Sequence, residues 1–244
     1  MNADHVDPAK EIQVKPWAER VMLGIESSCD DTSIAILRGS EVLSQFTTAQ
    51  HIHAQYGGVV PEFASRAHQV HIVPVLEGAL SQAGCTLQDL DGVAYTRGPG
   101  LQGSLLVGSA FARSLGWSLE LPLYPVHHMR AHVVAHWMAD AAPNPTSPML
   151  ALTVSGGHTQ LLDVASPWDM RVMGTTLDDA AGEAFDKVAK MLGLDYPGGP
   201  IVDRMAKDGN PNAFAFTAPK VAAHDFSFSG LKTSVLRVLE KELA

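Results

Sequence analysis

The sequence lacks long apolar runs and is poor in cysteine. A membrane-spanning helix needs about 20 consecutive apolar residues, and no such run occurs. Cys29 and Cys85 are the only cysteines among 244 residues, which excludes a disulfide framework and is typical of a reducing cytoplasm. The polar N-terminus has no apolar signal-peptide core. We therefore expect a cytoplasmic protein that does not contact a membrane.

Basic side chains are also scarce. Seventeen Lys and Arg face 26 Asp and Glu, which gives a net charge of −9. Binding of nucleic acid by broad phosphate neutralisation needs clustered basic residues, so any RNA contact would need a local patch or a partner. Hydrophobic residues make up 46% and charged residues 18% of the chain. This composition predicts a globular protein with a sizeable core.

The order of predicted elements indicates an α/β protein. Residues 1–20 are predicted to be a disordered extension, and three β-rich runs from residue 21 to residue 50 predict a three-stranded meander. A helix is predicted over 62–83, ended by Gly84 and kinked or split by Pro74. A strand, a Gly-rich loop and a helix follow, an order that presents backbone N–H groups to an anion.

The second half repeats the plan of the first in outline. After a Pro-rich joint, "MLALTVSGGHTQLLDV" resembles "VMLGIESSCDDTSIAIL": each has an apolar strand, a small polar turn, a Thr and another strand. This weak repeat predicts two similar lobes, 21–140 and 148–244, each offering a hairpin to a cleft between them. Helices follow, and the sequence stops inside an amphipathic helix. We therefore expect the second lobe to be incomplete.

Four histidines lie within "VHHMRAHVVAHW". His128, His132 and His136 are four residues apart, so a helix would place them on one face. This spacing suits zinc or iron ligands and equally a histidine-rich packing face. The general base of an H-E-x-x-H metalloprotease is absent, because Arg130 and its neighbours occupy the intervening positions.

Two polar hairpins are further candidates. "ESSCDDT", residues 26–32, would let backbone approach a phosphate while a carboxylate positions a metal or water, or it is an Asx-rich turn. Cys29 within it is a candidate nucleophile without an identifiable base. "TVSGGHT", residues 153–159, permits close approach of a ligand to two glycines, or it is a plain hairpin turn.

The helix that begins at "DDAAGEAFDK" is rich in carboxylates. The helix dipole accounts for Asp178 and Asp179 near its start, whereas Asp186 lies two turns further on. Asp203 lies four residues past Gly199 and would face the same ligand across the Gly-Gly turn, or it is a solvated helix carboxylate.

Seven stretches of the sequence are informative when they are taken together and in order. They are "GIESSCDDTSIAIL", "HAQYGGVVPEFASRAH", "TRGPGLQGSLLVG", "VHHMRAH", "TVSGGHTQL", "DDAAGEAFDKVAKMLGLDYPGGP" and "FSFSGLKTSV". In this order they resemble the TsaD family of bacterial tRNA adenosine N6-threonylcarbamoyltransferases, formerly called glycoprotein endopeptidases. The resemblance covers the chain from residue 21 to its end.

The resemblance implies an actin-like ATPase fold with two RNase H-like lobes, the second truncated. It implies transfer of the threonylcarbamoyl group from threonylcarbamoyl-AMP to N6 of adenosine 37 in tRNAs that read ANN codons. The implied partners are tRNA, a homologous TsaB-like protein and a TsaE-like ATPase. His128 and His132 match two ligands of an iron or zinc ion. Substrate binding is implied for Thr153, Val154, Ser155, Gly156, Gly157, Asp186, Gly199 and Asp203.

Two departures from the family pattern bear on activity. The family has Glu and Gly where this chain has Arg130 and Ala131, and it continues into a segment with a third metal ligand, an Asp, and a substrate-binding Asn. We therefore expect a fragment with impaired metal retention. The alternatives are a metallopeptidase and a non-catalytic module that binds the TsaB-like partner.

Overall fold

The first sheet is built from five strands near the start of the chain. The computed structural model describes residues 15–138 and 145–242. The sheet order is β3-β2-β1-β4-β5, with β1 antiparallel to β2 and parallel to β4. These strands are β1 (Val21–Glu26), β2 (Thr32–Arg38), β3 (Glu41–Thr48), β4 (Gly92–Gly98) and β5 (Leu123–His127). The predicted meander is confirmed as β1–β3.

Two helices cover this sheet. Helix α1 (Pro61–Ala83) packs on β2 and β3, and α2 (Gln102–Ser118) packs on β4 and on α1. Gly84 ends α1 with a left-handed φ of 64°, as its sequence predicts. The predicted split at Pro74 is wrong, because α1 is one continuous helix with the exposed Pro74 inside it.

Helix α2 approaches the sheet through small residues. A Cβ atom on Gly108 would lie 2.1 Å from the Oγ atom of Ser27, which is buried at the end of β1. Only glycine therefore fits there. The core beneath the helices contains side chains with at most 1% exposure, among them Leu23, Ile34, Ile36 and Val93.

The second sheet has three antiparallel strands in the order β6-β7-β8. They are β6 (Met149–Val154), β7 (Thr159–Ser166) and β8 (Asp169–Thr175), followed by α4 (Ala181–Met191), α5 (Gly199–Ala206) and α6 (Ser229–Glu242). The first two strands lie where the repeat predicts them, while β8 was not predicted. Each sheet therefore begins with an antiparallel meander. In the part of the chain that the structure describes, β6 pairs only with β7.

Helix α3 (His128–Val134) lies between the two sheets. It follows β5 of the first sheet directly, yet Val133 packs into the core of the second sheet with Leu162, Val164 and Met170. The histidine-bearing helix is therefore held by both sheets. The predicted lobe boundary at residue 140 lies outside the described residues.

The predicted N-terminal extension differs from the structure in its described part. Residues 1–14 lie outside the description, but Trp17–Glu19 forms a 3₁₀ turn. Lys15 also pairs with Asp91, with an Nζ–Oδ1 distance of 2.8 Å. Hydrogen bonds and an ion pair therefore order residues 15–20. Among the described helices, none is long and apolar enough to cross a membrane.

Candidate metal and substrate site

The hairpin 26–32 is fixed by buried side chains from both covering helices. His68 of α1 is fully buried and lies 2.8 Å from Thr32 Oγ1 and 3.0 Å from the carbonyl oxygen of Cys29. Ser104 of α2 donates to that same carbonyl. The backbone N–H of Leu101 donates to the carbonyl of Ser28 at 2.7 Å. The loop before α2 is therefore tied to the hairpin, and that N–H is not available to an anion.

Glu26 stands at the end of β1 and reaches His128 across the sheet. Its Oε2 atom lies 3.1 Å from His128 Nδ1 and accepts a hydrogen bond from Thr96 Oγ1. Burial by itself raises the pKa of Glu26, but hydrogen bonds from His128, Ser28 and Thr96 outweigh it and lower this pKa to about 2. Glu26 is therefore ionised at neutral pH.

His128 and His132 point their Nε2 atoms at each other. The two atoms are 3.1 Å apart, and the ring centroids are 4.6 Å apart with the planes at 85°. Imidazole nitrogens bind zinc at about 2.0–2.1 Å in tetrahedral geometry, so two ligand nitrogens lie about 3.3 Å apart, close to the distance between these two atoms. The donors of His128 and His132 therefore fit two positions of one metal ion.

A third donor is not assembled beside this pair. Within residues 15–138 and 145–242, no group of three or more His, Cys, Asp or Glu side chains is arranged to hold a metal ion. His136 lines the same side as His132, but it lies in a 3₁₀ turn after α3. This agrees with the family pattern, in which the third ligand is an Asp of a segment that follows residue 244.

Arg130 lies on the opposite side of α3 from the histidine pair. Two residues along a helix correspond to a rotation of about 200°, and the Arg130 side chain is exposed. Its charge acts on His127, just before α3: burial lowers the pKa of His127, and Arg130 and Arg97 lower it further. Arg130 therefore points away from the pair.

The hairpin 153–157 faces the same space from the second sheet. A cavity of about 460 Å³ lies between α3 and β6, and its walls include His132, Met129, Thr153 and Ser155. His158, just past the hairpin, has its ring centroid 6.3 Å from that of His128. Burial and then the neighbouring His128 and His132 lower the pKa of His158. The histidine pair and the hairpin therefore form one site.

The turn itself is closed by Ser155. Its Oγ atom accepts hydrogen bonds from the N–H groups of Gly157 and His158, at 3.4 and 3.0 Å. No heavy atom lies within 4 Å of a Cβ placed on Gly156 or Gly157, so the outer face of the turn is open. Thr153 is bonded back to the Gln160 carbonyl, and Val154 is 56% exposed. The geometry is that of a tight turn with accessible backbone.

Asp186 binds the Gly-Gly turn of its own lobe. Its Oδ1 atom accepts hydrogen bonds from the N–H groups of Gly198 and Gly199, at 2.9 and 3.0 Å. Asp203 is exposed on α5, one turn after Gly199. Burial raises the pKa of Tyr196, and the charges of Asp186 and Asp30 raise it further. The turn therefore stands near the hairpin 26–32.

Asp178 and Asp179 have a tertiary role that their sequence position did not predict. Asp178 accepts hydrogen bonds from the N–H groups of Phe228 and Ser229, at the start of α6. Asp179 pairs with Lys187 and with Lys232, at 2.7 and 2.8 Å. These carboxylates fasten α6 to α4, in place of the predicted helix-dipole role.

The contact between Glu26 and His128 was missed by sequence reasoning. A signal for it exists, because β1, β4 and β5 are parallel and their carboxyl ends meet at one edge of the sheet. Cys29, by contrast, gains no base: burial and then Asp30 raise the pKa of its thiol to about 12. A thiolate nucleophile is thus disfavoured at this position.

Comparison with known proteins decides the family. The family described as "TsaD: tRNA N6-adenosine threonylcarbamoyltransferase" matches residues 41–244. The chain belongs to the TsaD family. Curated relatives bearing that transferase name include one from Riemerella anatipestifer, 55% identical over 92% of this chain, and one from Porphyromonas gingivalis, 54% identical over 92%. The predicted family membership is confirmed.

This TsaD chain spans 64–67% of the length of the first six relatives it matches. Among solved structures it is similar to component A of (R)-2-hydroxyglutaryl-CoA dehydratase from Acidaminococcus fermentans. That likeness has a TM-score of 0.50 and 12% identity, and it covers 91% of this chain and 68% of that one. The predicted α/β fold class is confirmed, with five strands in the first sheet and three described in the second.

Proposed function

We propose that this chain forms the metal- and substrate-binding part of a tRNA N6-adenosine threonylcarbamoyltransferase. The enzyme would move the threonylcarbamoyl group from threonylcarbamoyl-AMP to N6 of adenosine 37 in tRNAs that read ANN codons. One observation carries the proposal: in a TsaD-family chain, the Nε2 atoms of His128 and His132 lie 3.1 Å apart, and His132 lines a cavity together with Thr153 and Ser155 of the hairpin 153–157.

His128 and His132 would hold one divalent metal ion, iron or zinc. Bound there, the ion would supply Lewis-acid polarisation of the carbamoyl carbonyl. The arrangement does not favour a peptidase, because Glu26 contacts Nδ1 of His128. A general base would have to stand on the Nε2 side, where a metal-bound water would lie.

The adenylate would bind across the open hairpin. Exposed backbone at Gly156 and Gly157 permits close approach of a carbonyl or phosphate oxygen. Asp186 would keep the Gly199 turn in place beside the substrate, and Asp203 would approach it from α5. The residues of this chain would therefore orient the substrate. Orientation of bound reactants can remove much of the activation free energy of acyl transfer.

Partner proteins would supply the basic residues that this acidic chain lacks for binding tRNA. Phosphate contacts to tRNA need basic residues, and the net charge here is −9. Exposed apolar side chains on α1 and α2, among them Val70, Leu106 and Trp117 at 68–84% exposure, support a protein partner. We propose a TsaB-like homologue and a TsaE-like ATPase in that role. Cytoplasmic location is part of the proposal, and it agrees with the free thiols of Cys29 and Cys85.

The test combines metal analysis with transfer of the threonylcarbamoyl group to unmodified tRNA, with both partners present. The chain is compared with a version extended to the full length of its relatives, and each is made also as His132→Ala. We expect the extended form to bind about one metal ion, to modify tRNA, and to lose both properties on substitution. An extended form that binds metal but never modifies tRNA would refute the transfer. An interaction module would then be favoured.

A further inference from the structure

Glu26 is held in place by groups other than the histidine that it faces. Its Oε1 atom accepts a hydrogen bond from the backbone N–H of Ser28, and its Oε2 atom accepts one from the hydroxyl of Thr96. Ser28 belongs to the hairpin fixed by the covering helices, and Thr96 lies on β4, which pairs with both β1 and β5. The carboxylate is therefore oriented before His128 is considered.

The contact with His128 determines where that imidazole carries its proton. An ionised carboxylate only accepts hydrogen bonds, so the 3.1 Å contact requires a proton on Nδ1. Ser28 Oγ stands 3.2 Å from the same nitrogen and can accept beside it. With the proton on Nδ1, the Nε2 atom has a free lone pair, and this atom faces His132.

An isolated neutral imidazole prefers the other tautomer, with the proton on Nε2. In that tautomer the atom facing His132 has no lone pair for a metal ion. A ligand histidine commonly gives its other N–H to a carboxylate, which fixes the tautomer and the ring orientation. Glu26 occupies the position of that carboxylate. It lies two strands away from His128 in the sheet and 102 residues away in sequence.

We propose that Glu26 is a positioning residue that fixes the Nδ1–H tautomer of His128 and so prepares Nε2 for a metal ion. This inference rests on the metal binding proposed above. Loss of such a partner costs about 10–100-fold in metal affinity.

The test uses the chain in two states. In the metal-free protein, long-range ¹H–¹⁵N spectra of the imidazoles report the tautomer of His128, whose signals are identified by their loss in His128→Ala. Zinc affinity is then measured by competition with a chelating dye. Glu26→Met removes the acceptor at nearly constant length, Glu26→Gln keeps an acceptor oxygen without charge, and Glu77→Met on the exposed face of α1 is the control.

We expect Glu26→Met to lose the Nδ1–H tautomer and to bind zinc about 10–100-fold more weakly. Glu26→Gln should keep the tautomer with a smaller loss, and Glu77→Met should match the parent chain. The proposal is overturned if Glu26→Met keeps the Nδ1–H tautomer, or if its zinc affinity stays within about twofold of the parent. It is also overturned if Ser28→Ala alone shifts the tautomer.

Two further results separate this inference from the proposed function. If neither the parent chain nor its extended form binds zinc, the proposed metal site fails, while the tautomer spectra still decide the role of Glu26. If Glu26→Met does not fold, Glu26→Asp withdraws the carboxylate by one methylene and should show the same loss of the tautomer. A retained tautomer in Glu26→Asp would then count against Glu26.

Discussion

The imidazole rings of His128 and His158 face each other from different parts of the fold, with their centroids 6.3 Å apart. His128 begins α3 after the first sheet, and His158 precedes β7 of the second. Because α3 packs on the second sheet through Val133, this approach is built into the core. The cleft predicted between two hairpins is therefore lined by histidines from both sides.

His158 is expected to be a neighbour of the metal and not a ligand. Its ring is further from His128 than that of His132, whose centroid is 4.6 Å away. We predict that His158→Ala lowers zinc affinity less than tenfold, whereas His132→Ala lowers it more than 100-fold. Dye competition measures both. A loss in His158→Ala equal to that in His132→Ala would identify it as a ligand.

Arg130 is expected to have little effect on the metal site. Its exposed side chain points away from the histidine pair, and water and salt screen its charge. We predict that Arg130→Glu changes zinc affinity by less than about threefold at 0.15 M salt. The measurement is repeated at low salt, where a larger change in zinc affinity would show that the charge of residue 130 acts on the metal ion. A change of tenfold at both salt concentrations contradicts the prediction.

Gly182 sets the distance between α4 and the hairpin 153–157. A Cβ there would lie 2.7 Å from the carbonyl oxygen of Ser155 and 2.8 Å from the N atom of Gly156, both backbone atoms. We predict that Gly182→Ala costs about 1–3 kcal/mol in the free energy of unfolding and weakens adenylate binding, while zinc affinity is kept.

The matched control for this change is Gly230→Ala, which also adds one methyl group within a helix. No heavy atom lies within 4 Å of the added carbon there. Alanine favours a helix, so the control should be stabilised by up to about 0.5–1 kcal/mol. Urea unfolding measures both variants. An equal change in the free energy of unfolding for the two variants would show that the hairpin 153–157 shifts to accommodate the added methyl group.

Asp178 anchors the start of α6, so its removal should release that helix. We predict that Asp178→Ala lowers the free energy of unfolding by about 0.5–2 kcal/mol, as for the loss of a helix cap. Hydrogen exchange should accelerate within Ser229–Glu242 and remain slow in β1–β5. Asp208→Ala, at an exposed carboxylate, should do neither. Unchanged exchange in α6 would contradict the anchoring role.

Acid should weaken the same attachment. Burial raises the pKa of Asp178, but hydrogen bonds from Ser227, Phe228 and Ser229 outweigh it and lower this pKa below 3.8. Hydrogen bonds from Lys187 and then Lys232 lower the pKa of Asp179. A pKa lowered by folding stabilises the protein above the ordinary value and loses this effect as pH falls below about 3.9. Asp178→Asn should therefore show a shallower loss of stability than the parent from pH 5 to pH 2.5. Equal slopes would contradict this assignment.

Local sequence signals predicted helices and strands well where a single physical property of the residues determines the local structure. Short β-rich runs identified β1–β3, and Gly84 marked the end of α1 because it adopts the left-handed conformation there. The split at Pro74 failed because the ring is exposed and the packing of α1 continues on both sides. Strand β8 was missed because few of its residues are apolar and one of them, Val172, is exposed, so its alternation is weak.

The sequence by itself determined the family, the α/β fold and the i, i+4 spacing of His128 and His132, since these depend on motif order and helical periodicity. The tertiary structure alone decided that Glu26 meets His128 and that Asp178 meets Phe228. It also decided that Asp186 turns inward to hold Gly198. These contacts join residues from 12 to 102 positions apart. Parallel strands and packed helices bring such residues together, and no local pattern encodes that proximity.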